Sequence, residues 1–234
     1  VNGYGFPLQL VGSHQIVDGH SFGDYAAKID VGSYYGLKHQ IAPNGGGIKV
    51  NEYSIQIDFK VEALGVWYCF FQTSIENDND GDCFINTSGY IGVAATGYSA
   101  YSLHPNEWYR MIVSVKNGTQ YKYYLDGQLL NNAAVQEVDG RFSLDSLLLM
   151  FADENGEDNN IIVSEIGLWD RVLSTNEVQT LGGFGHLIPT SAGTQLLLVP
   201  YLQTPSTNSI YVSWHDTLAN LTNVEFGTTD AFGQ

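Results

Sequence analysis

Apolar and polar positions alternate with period two through much of the chain. In Tyr53-Ser54-Ile55-Gln56-Ile57-Asp58-Phe59-Lys60-Val61-Glu62 every odd position is apolar and every even one polar. That pattern predicts a strand with one buried and one wet face. Tyr109, Met111, Val113 and Val115 repeat it opposite Arg110, Ser114 and Lys116. The runs 121–125 and 128–130 flank Asp126-Gly127, a two-residue hairpin signal. Further strands are predicted around 67–72, 83–86, 90–94, 147–151 and 161–169. Antiparallel strands at this spacing predict a sandwich rather than a parallel sheet. By the same alternation Ile55, Ile57, Phe59, Val113, Val115 and Trp169 face the interior. Trp108, Leu168 and Trp169 read as core rather than as ligand platforms, because large aromatics dominate core burial.

One short helix interrupts the strands. Ser174-Thr175-Asn176-Glu177 is a capping box, in which the Ser174 hydroxyl accepts from the Glu177 amide and the Glu177 carboxylate from the Ser174 amide. Leu173 and Val178 sit where a hydrophobic staple closes, and Gly182-Gly183 stop the helix. Residues 184–196, with Gly185, Pro189, Ser191 and Gly193, read as a linker. A new alternation then begins in Leu196-Leu197-Leu198-Val199 and continues in Ile210-Tyr211-Val212-Ser213-Trp214, Val224 and Phe226.

Charge narrows the partners. Nine Lys+Arg stand against 25 Asp+Glu in 234 residues, a net charge of −16. Such a chain cannot displace counterions from phosphates, which argues against nucleic acid, and an anionic membrane surface repels it. No apolar run reaches the length of a membrane span. Val1 opens directly into Asn2-Gly3-Tyr4-Gly5 without a signal peptide, which reads as a mature or trimmed chain. Calcium and neutral glycans remain compatible partners. Acidity by itself also serves solubility.

Candidate chemistry lies in acidic loops and exposed aromatics. Glu76-Asn77-Asp78-Asn79-Asp80-Gly81-Asp82 and Asp153-Glu154-Asn155-Gly156-Glu157-Asp158 supply the hard oxygen ligands that suit calcium. The same residue types also satisfy turn geometry with no ion. Tyr90, Tyr98 and Tyr101 fall in a Gly/Ser/Ala-rich stretch and offer flat faces to a sugar ring; Tyr is also common at half-buried strand positions. Cys69 and Cys83 flank the first acidic loop, either as a bridge between hairpin arms or as two separately buried thiols. The sequence carries no E-x-D-x-x-E strand for glycoside hydrolysis, no G-x-S-x-G and no H-E-x-x-H.

Three stretches resemble laminin-G-like jelly rolls of the concanavalin A-like superfamily. They are Gly23-Asp24-Tyr25-Ala26-Ala27-Lys28-Ile29, then Asn106 to Arg110 with Tyr123-Tyr124-Leu125-Asp126-Gly127, then Val163-Ser164-Glu165-Ile166-Gly167-Leu168-Trp169-Asp170-Arg171-Val172-Leu173-Ser174 with Glu177 and Leu181. The resemblance implies a bacterial surface or secreted protein. It also implies one calcium between the opening strand and the closing strand, where this sequence has Ser164. With the acidic loop, that gives Asp24, Asp153, Asn155, Glu157 and Asp158 as the metal candidates and Tyr90, Tyr98 and Tyr101 as the ligand candidates. Val199-Pro200-Tyr201-Leu202-Gln203-Thr204-Pro205, Ser209 to Trp214 and Val224 to Thr229 resemble the start of the fibronectin-like N-terminal domain of purple acid phosphatases.

The expected architecture is all-β: an antiparallel two-sheet jelly-roll sandwich over 1–183 with one short C-terminal helix, a linker over 184–196, and a partial second β-sandwich over 197–234. The expected function is a non-catalytic module that binds carbohydrate or a cell surface. Its setting is secreted, cell-surface or periplasmic, on the N-terminal side of a metal-dependent phosphatase domain further along the parent chain. The alternative is a structural spacer with no ligand. No metallophosphatase ligand motif occurs in the 234 residues, so this chain alone is expected to be no enzyme.

Overall fold

The computed structural model describes residues 8–20 and 25–185 and the backbone of 201–203 and 211–213. The strands are β1 (Gln9–Val11), β2 (His14–Asp18), β3 (Tyr25–Ile29), β4 (Tyr34–Leu37), β5 (Glu52–Val61), β6 (Tyr68–Gln72), β7 (Cys83–Ile85), β8 (Tyr90–Val93), β9 (Gly97–Ser102), β10 (Trp108–Lys116), β11 (Gln120–Leu125), β12 (Gln128–Ala133), β13 (Leu148–Met150) and β14 (Ile161–Trp169). Helix α1 (Thr175–Leu181) follows, then β15 (Tyr201–Gln203) and β16 (Tyr211–Ser213). Two antiparallel sheets of seven strands form a jelly-roll sandwich. The first runs β1-β4-β13-β6-β7-β8-β9 and the second β12-β11-β10-β5-β14-β3-β2. β15 and β16 pair antiparallel by themselves.

The second sheet is organised around β5, paired with β10 on one side and β14 on the other. Tyr53, Ile55, Ile57, Phe59 and Val61 are fully buried, with Met111, Val113 and Val115 beside them. Tyr121 and Tyr123 of β11 and Phe70 of β6 join the same cluster, and Phe70 meets Phe59 edge to face at 4.8 Å. The Asp126-Gly127 hairpin forms as expected, with φ of 47° and 77° at its two turn residues, the positive values a primed turn requires.

Three expectations need correction. The even positions of β5 are not wet: Ser54, Gln56 and Asp58 are buried, as are Arg110 and Ser114 of β10. The segment after β14 covers them. Trp169 is buried but does not face the sandwich interior; it belongs to a second cluster with Ile112, Tyr124, Leu173, Val178 and Leu181. The cause is a bulge in β14 between Val163 and Glu165. One extra residue moves the inward set from Ile161 and Val163 to Ile166 and Leu168, which sends Trp169 to the outer face. Trp108 is only half-buried. It stacks on Phe184 at 4.8 Å and 13° between planes, with Lys60 Nζ 5.1 Å from its centroid.

The helix closes this outer face. Ser174 accepts from the Glu177 amide, the Glu177 carboxylate accepts from the Ser174 amide, and Gly182 ends the helix at φ 63°. Leu173 and Val178 both lie in the second cluster. The Ser54 hydroxyl accepts from the Leu173 amide at 3.0 Å. Beneath the helix C-terminus Arg110 grips Asp58 with two bonds, Nε to Oδ1 at 2.8 Å and Nη2 to Oδ2 at 2.7 Å. Its Nη1 donates to the Leu181 carbonyl at 2.8 Å. Burial pushes the Asp58 carboxyl up to about 6 even with the guanidinium pulling it down.

Candidate functional site

The two acidic loops meet over the outer face of β6. β13 lies beside β6, and the chain leaving β13 stays on it: the Phe151 amide donates to Phe70 and the Cys69 thiol to the Ala152 carbonyl. Loop 73–82 folds back over the same strand and is pinned there by Asp82. That buried carboxylate accepts from the Thr73 amide and hydroxyl, each at 2.7 Å, and from Arg141 Nε at 2.6 Å. Gly81 can approach because it has no side chain; a Cβ there would lie 2.5 Å from the Cys69 sulfur. Cys69 and Cys83 are free, buried thiols, which decides between the two readings of the pair.

The Gly81 amide donates to Asp153 Oδ1 at 3.2 Å, and the amides of Glu157 and Asn155 donate to Asp153 Oδ2 at 2.7 and 3.3 Å. Asn77 Nδ2 donates to the Asp153 carbonyl at 3.2 Å. These bonds gather one carboxylate oxygen from each of Asp80, Asp153 and Glu157 within 4.8 Å of one another. Among the described residues no other group of three His, Cys, Asp or Glu ligand atoms comes so close. Arg141 Nη2 reaches Asp80 Oδ2 at 3.1 Å, an exposed contact that offsets part of the charge. The Glu157 carboxyl is raised by burial and by the charges of Asp153, Asp80 and Glu154. Gln72, buried beneath the loop, donates from Nε2 to the Asn79 carbonyl and to Asn77 Oδ1. Its Oε1 is a buried acceptor without a partner.

Asp153 and Glu157 thus lie together, joined by Asp80 from the first acidic run, which the sequence offers as a separate calcium loop and not as part of the same site. Asn155 is exposed and its side-chain Nδ2 donates to Glu154 Oε1 at 3.1 Å. Asp158 Oδ2 accepts from the Gly32 amide at 2.6 Å and so serves the turn between β3 and β4. Asp24 lies outside the described residues. Ser164 sits at the β14 bulge. Tyr98 is half-buried on β9 opposite Gly92, and its hydroxyl is raised by burial first and then by the charges of Asp80 and Glu157. Tyr90 is half-buried on β8, opposite Ser102. Tyr101, 43% exposed, packs edge to face on His104 at 6.2 Å.

The chain belongs to the concanavalin A-like lectin/glucanases superfamily, whose laminin-G family model matches residues 38–179. No curated protein matches it in sequence. Among solved structures it is similar to Trypanosoma rangeli sialidase at 15% identity and a TM-score of 0.56, over 77% of this chain and 31% of that one. It is similar to domain 4 of an extracellular arabinanase from Geobacillus stearothermophilus, solved with arabinotriose, at 18% identity and a TM-score of 0.53, over 75% and 88% of the two chains. The binding domain of botulinum neurotoxin DC, solved with rat synaptotagmin II, matches at 13% identity and a TM-score of 0.53, over 74% and 46%. The chain spans about a third of the length of the sialidase it matches. At these identities the likeness is one of fold. No helix among the described residues is long and apolar enough to cross a membrane.

Proposed function

We propose that the sandwich is a non-catalytic binding module that holds calcium at Asp80, Asp153 and Glu157 and takes a glycan or cell-surface ligand beside Tyr98. The observation that carries this reading is the convergence of three carboxylate oxygens from two separate loops within 4.8 Å. Like charges so close raise one another's energy, and a divalent cation relieves it. All three donors are hard oxygens, the set calcium prefers over zinc. The fold neighbours include an arabinanase domain solved with arabinotriose and a neurotoxin binding domain solved with synaptotagmin II. They support binding as the class of function.

The same reading takes 1–183 as the module, 184–196 as a linker and 197–234 as the first part of a fibronectin-like domain. A secreted metallophosphatase follows, which the module holds near its substrate and so raises the effective concentration. The support is the resemblance of Tyr201-Leu202-Gln203, Ile210 to Trp214 and Val224 to Thr229 to the purple acid phosphatase N-terminal domain. On this reading the purified chain hydrolyses no phosphate ester with added iron, zinc or manganese; turnover there, or a parent gene without His- and Asp-rich metallophosphatase motifs downstream, refutes it.

Calorimetric titration and thermal melts with calcium and with chelator test the rim. Calcium at about one hundred times its dissociation constant stabilises the native state by about 2.7 kcal/mol. The gain should disappear in Asp153→Asn/Glu157→Gln. Melting curves unmoved by millimolar calcium in the wild type would sink the cation site. A glycan array silent with and without calcium would leave the domain a spacer.

A further inference from the structure

The outer face of the second sheet carries an open cleft of about 660 Å³. Its walls come from four separate places in the chain. His20 follows β2, Asn106, Glu107 and Trp108 lead into β10, Asp126 is the first turn residue between β11 and β12, and Phe184 follows α1. The walls are tied to one another. Asp126 Oδ1 accepts from the amides of Arg110 at 2.9 Å and Phe184 at 3.1 Å. The Phe184 ring lies flat on Trp108, and His20 meets it edge-on at 5.0 Å and 69°. Glu107 Oε2 accepts from the Tyr109 hydroxyl at 2.8 Å. Arg110, whose amide Asp126 holds, is itself fixed by Asp58 and the Leu181 carbonyl.

We infer that this cleft is a second binding site, separate from the acidic rim, and that it takes a neutral saccharide. The inference rests on the domain being a binding module but not on the rim holding calcium. The size is that of a small-ligand site. A single ion does not suit it, because the close gathering of three ligand atoms among the described residues is Asp80, Asp153 and Glu157. Glu107 and Asp126 outnumber the ammonium beside these walls, Lys60 at 5.1 Å from the Trp108 ring, so in a chain of net charge −16 the cleft disfavours an anionic ligand. A lipid tail gains little against walls that carry two carboxylates, an amide and an imidazole. Sugar hydroxyls donate to carboxylate and amide oxygens, and the exposed parts of Trp108 and Phe184 offer apolar contact to the sugar's C–H groups. A polyhydroxylated, uncharged ring satisfies both kinds of wall.

The test uses the full 234-residue chain, arabinotriose and an array of neutral, sialylated and sulfated glycans, each with calcium and with chelator. Neutral glycans are expected to bind and to change tryptophan fluorescence in chelator as well as in calcium. Glu107→Gln/Asp126→Asn should weaken binding at least about tenfold, because hydrogen bonds to charged groups outweigh neutral ones. Trp108→Phe keeps a ring against Phe184 and should abolish the fluorescence change while the melting temperature holds. Glu107→Gln alone guards against misfolding of the double variant. Unaltered affinity in these variants, binding restricted to anionic glycans, or no glycan binding at all each overturns the site. If glycan binding is lost with chelator and in Asp153→Asn but untouched by Glu107→Gln, the sugar belongs to the rim and the cleft is refuted. If the cleft variants fail to change binding while calcium still raises the melting temperature, the cleft alone has failed.

Discussion

The centre of the second sheet, β5 and β10, is buried on both faces, but by different chemistry. Its inner face is Tyr53, Ile55, Ile57, Phe59 and Val61 against Phe70 and the tyrosines of β11. Shape and apolar area dominate there, with the Tyr53 hydroxyl donating to the Phe142 carbonyl at 2.7 Å and the Tyr123 hydroxyl bonded to Thr96. Its outer face presents Ser54, Gln56, Asp58, Arg110 and Ser114, and each polar group buried this way needs a partner. The covering segment after β14 supplies many of them. Ser54 donates to the Arg171 carbonyl, Ser114 to the Leu173 carbonyl and Arg110 to the Leu181 carbonyl. The aliphatic positions of the inner face depend on fit alone, whereas Ser54, Ser114 and Arg110 of the outer face each depend on a particular carbonyl. An alternating sequence therefore reports which residues face the core but not whether the polar set meets water.

The largest effect should come from breaking the outer face at its charges. Arg110→Met leaves Asp58 buried without its counter-charge, and loss of one partner of a buried pair costs about 3–5 kcal/mol. Adding Asp58→Leu removes the orphaned charge, and such apolar replacements are often neutral or better. Chemical denaturation of the two single variants and the double gives the cycle. A double variant as unstable as Arg110→Met would show that packing, not an unpaired charge, dominates the loss. The inner face supplies the control: Ile57→Val, with no polar partner to lose, should cost about 0.5–1.5 kcal/mol.

Legibility followed the same division. The strands, the Asp126-Gly127 turn and the capping box were readable because each depends on neighbours in sequence. The outward turn of Trp169 was not, since the bulge that causes it is a property of how β14 pairs with β5. Alternation counted from Ile161 puts Trp169 on the wrong side by one residue. At the rim, Asp153 and Glu157 were legible as an acidic loop. Their third partner, Asp80, depends on loop 73–82 folding back across β6, which the spacing of the two acidic runs does not encode. The half-exposure of Trp108 was hidden for a related reason: it occupies an even, outward position of β10 opposite Lys60, beyond the reach of the helix but under Phe184.

Gly167 tests how closely the outer cover fits. A Cβ there would stand 3.0 Å from two atoms of the Trp169 ring and 3.4 Å from the Gln56 Cβ. Gly167→Ala must therefore push the indole toward the cluster beneath α1, and overpacking of this kind costs about 1–3 kcal/mol. Near-ultraviolet dichroism should report the tryptophan shift together with the loss. A variant as stable as wild type, with an unchanged tryptophan signal, would mean the cover has slack that the geometry does not show.

The smallest effect lies at the edge of that cover, where Glu177 serves both the cap and Arg171. Its carboxyl is held down to about 2, chiefly by the hydrogen bond from Arg171 and then by the Ser174 amide and hydroxyl. The folded state therefore binds its proton more weakly than the unfolded chain does. The stabilisation is complete above the ordinary carboxyl value near 4.5 and fades as the pH falls through that value toward about 2. Both side chains are more than a third exposed, so solvent screens the ion pair and the whole contribution stays near the roughly 1 kcal/mol of a helix cap. Glu177→Gln keeps an acceptor for the Ser174 amide but loses the charge. Wild type should exceed it in stability at pH 7, by less in high salt, and the gap should shrink steadily in urea melts from pH 5 down to pH 3. A gap that stays constant over that range would place the benefit in the shape of the cap rather than in its charge.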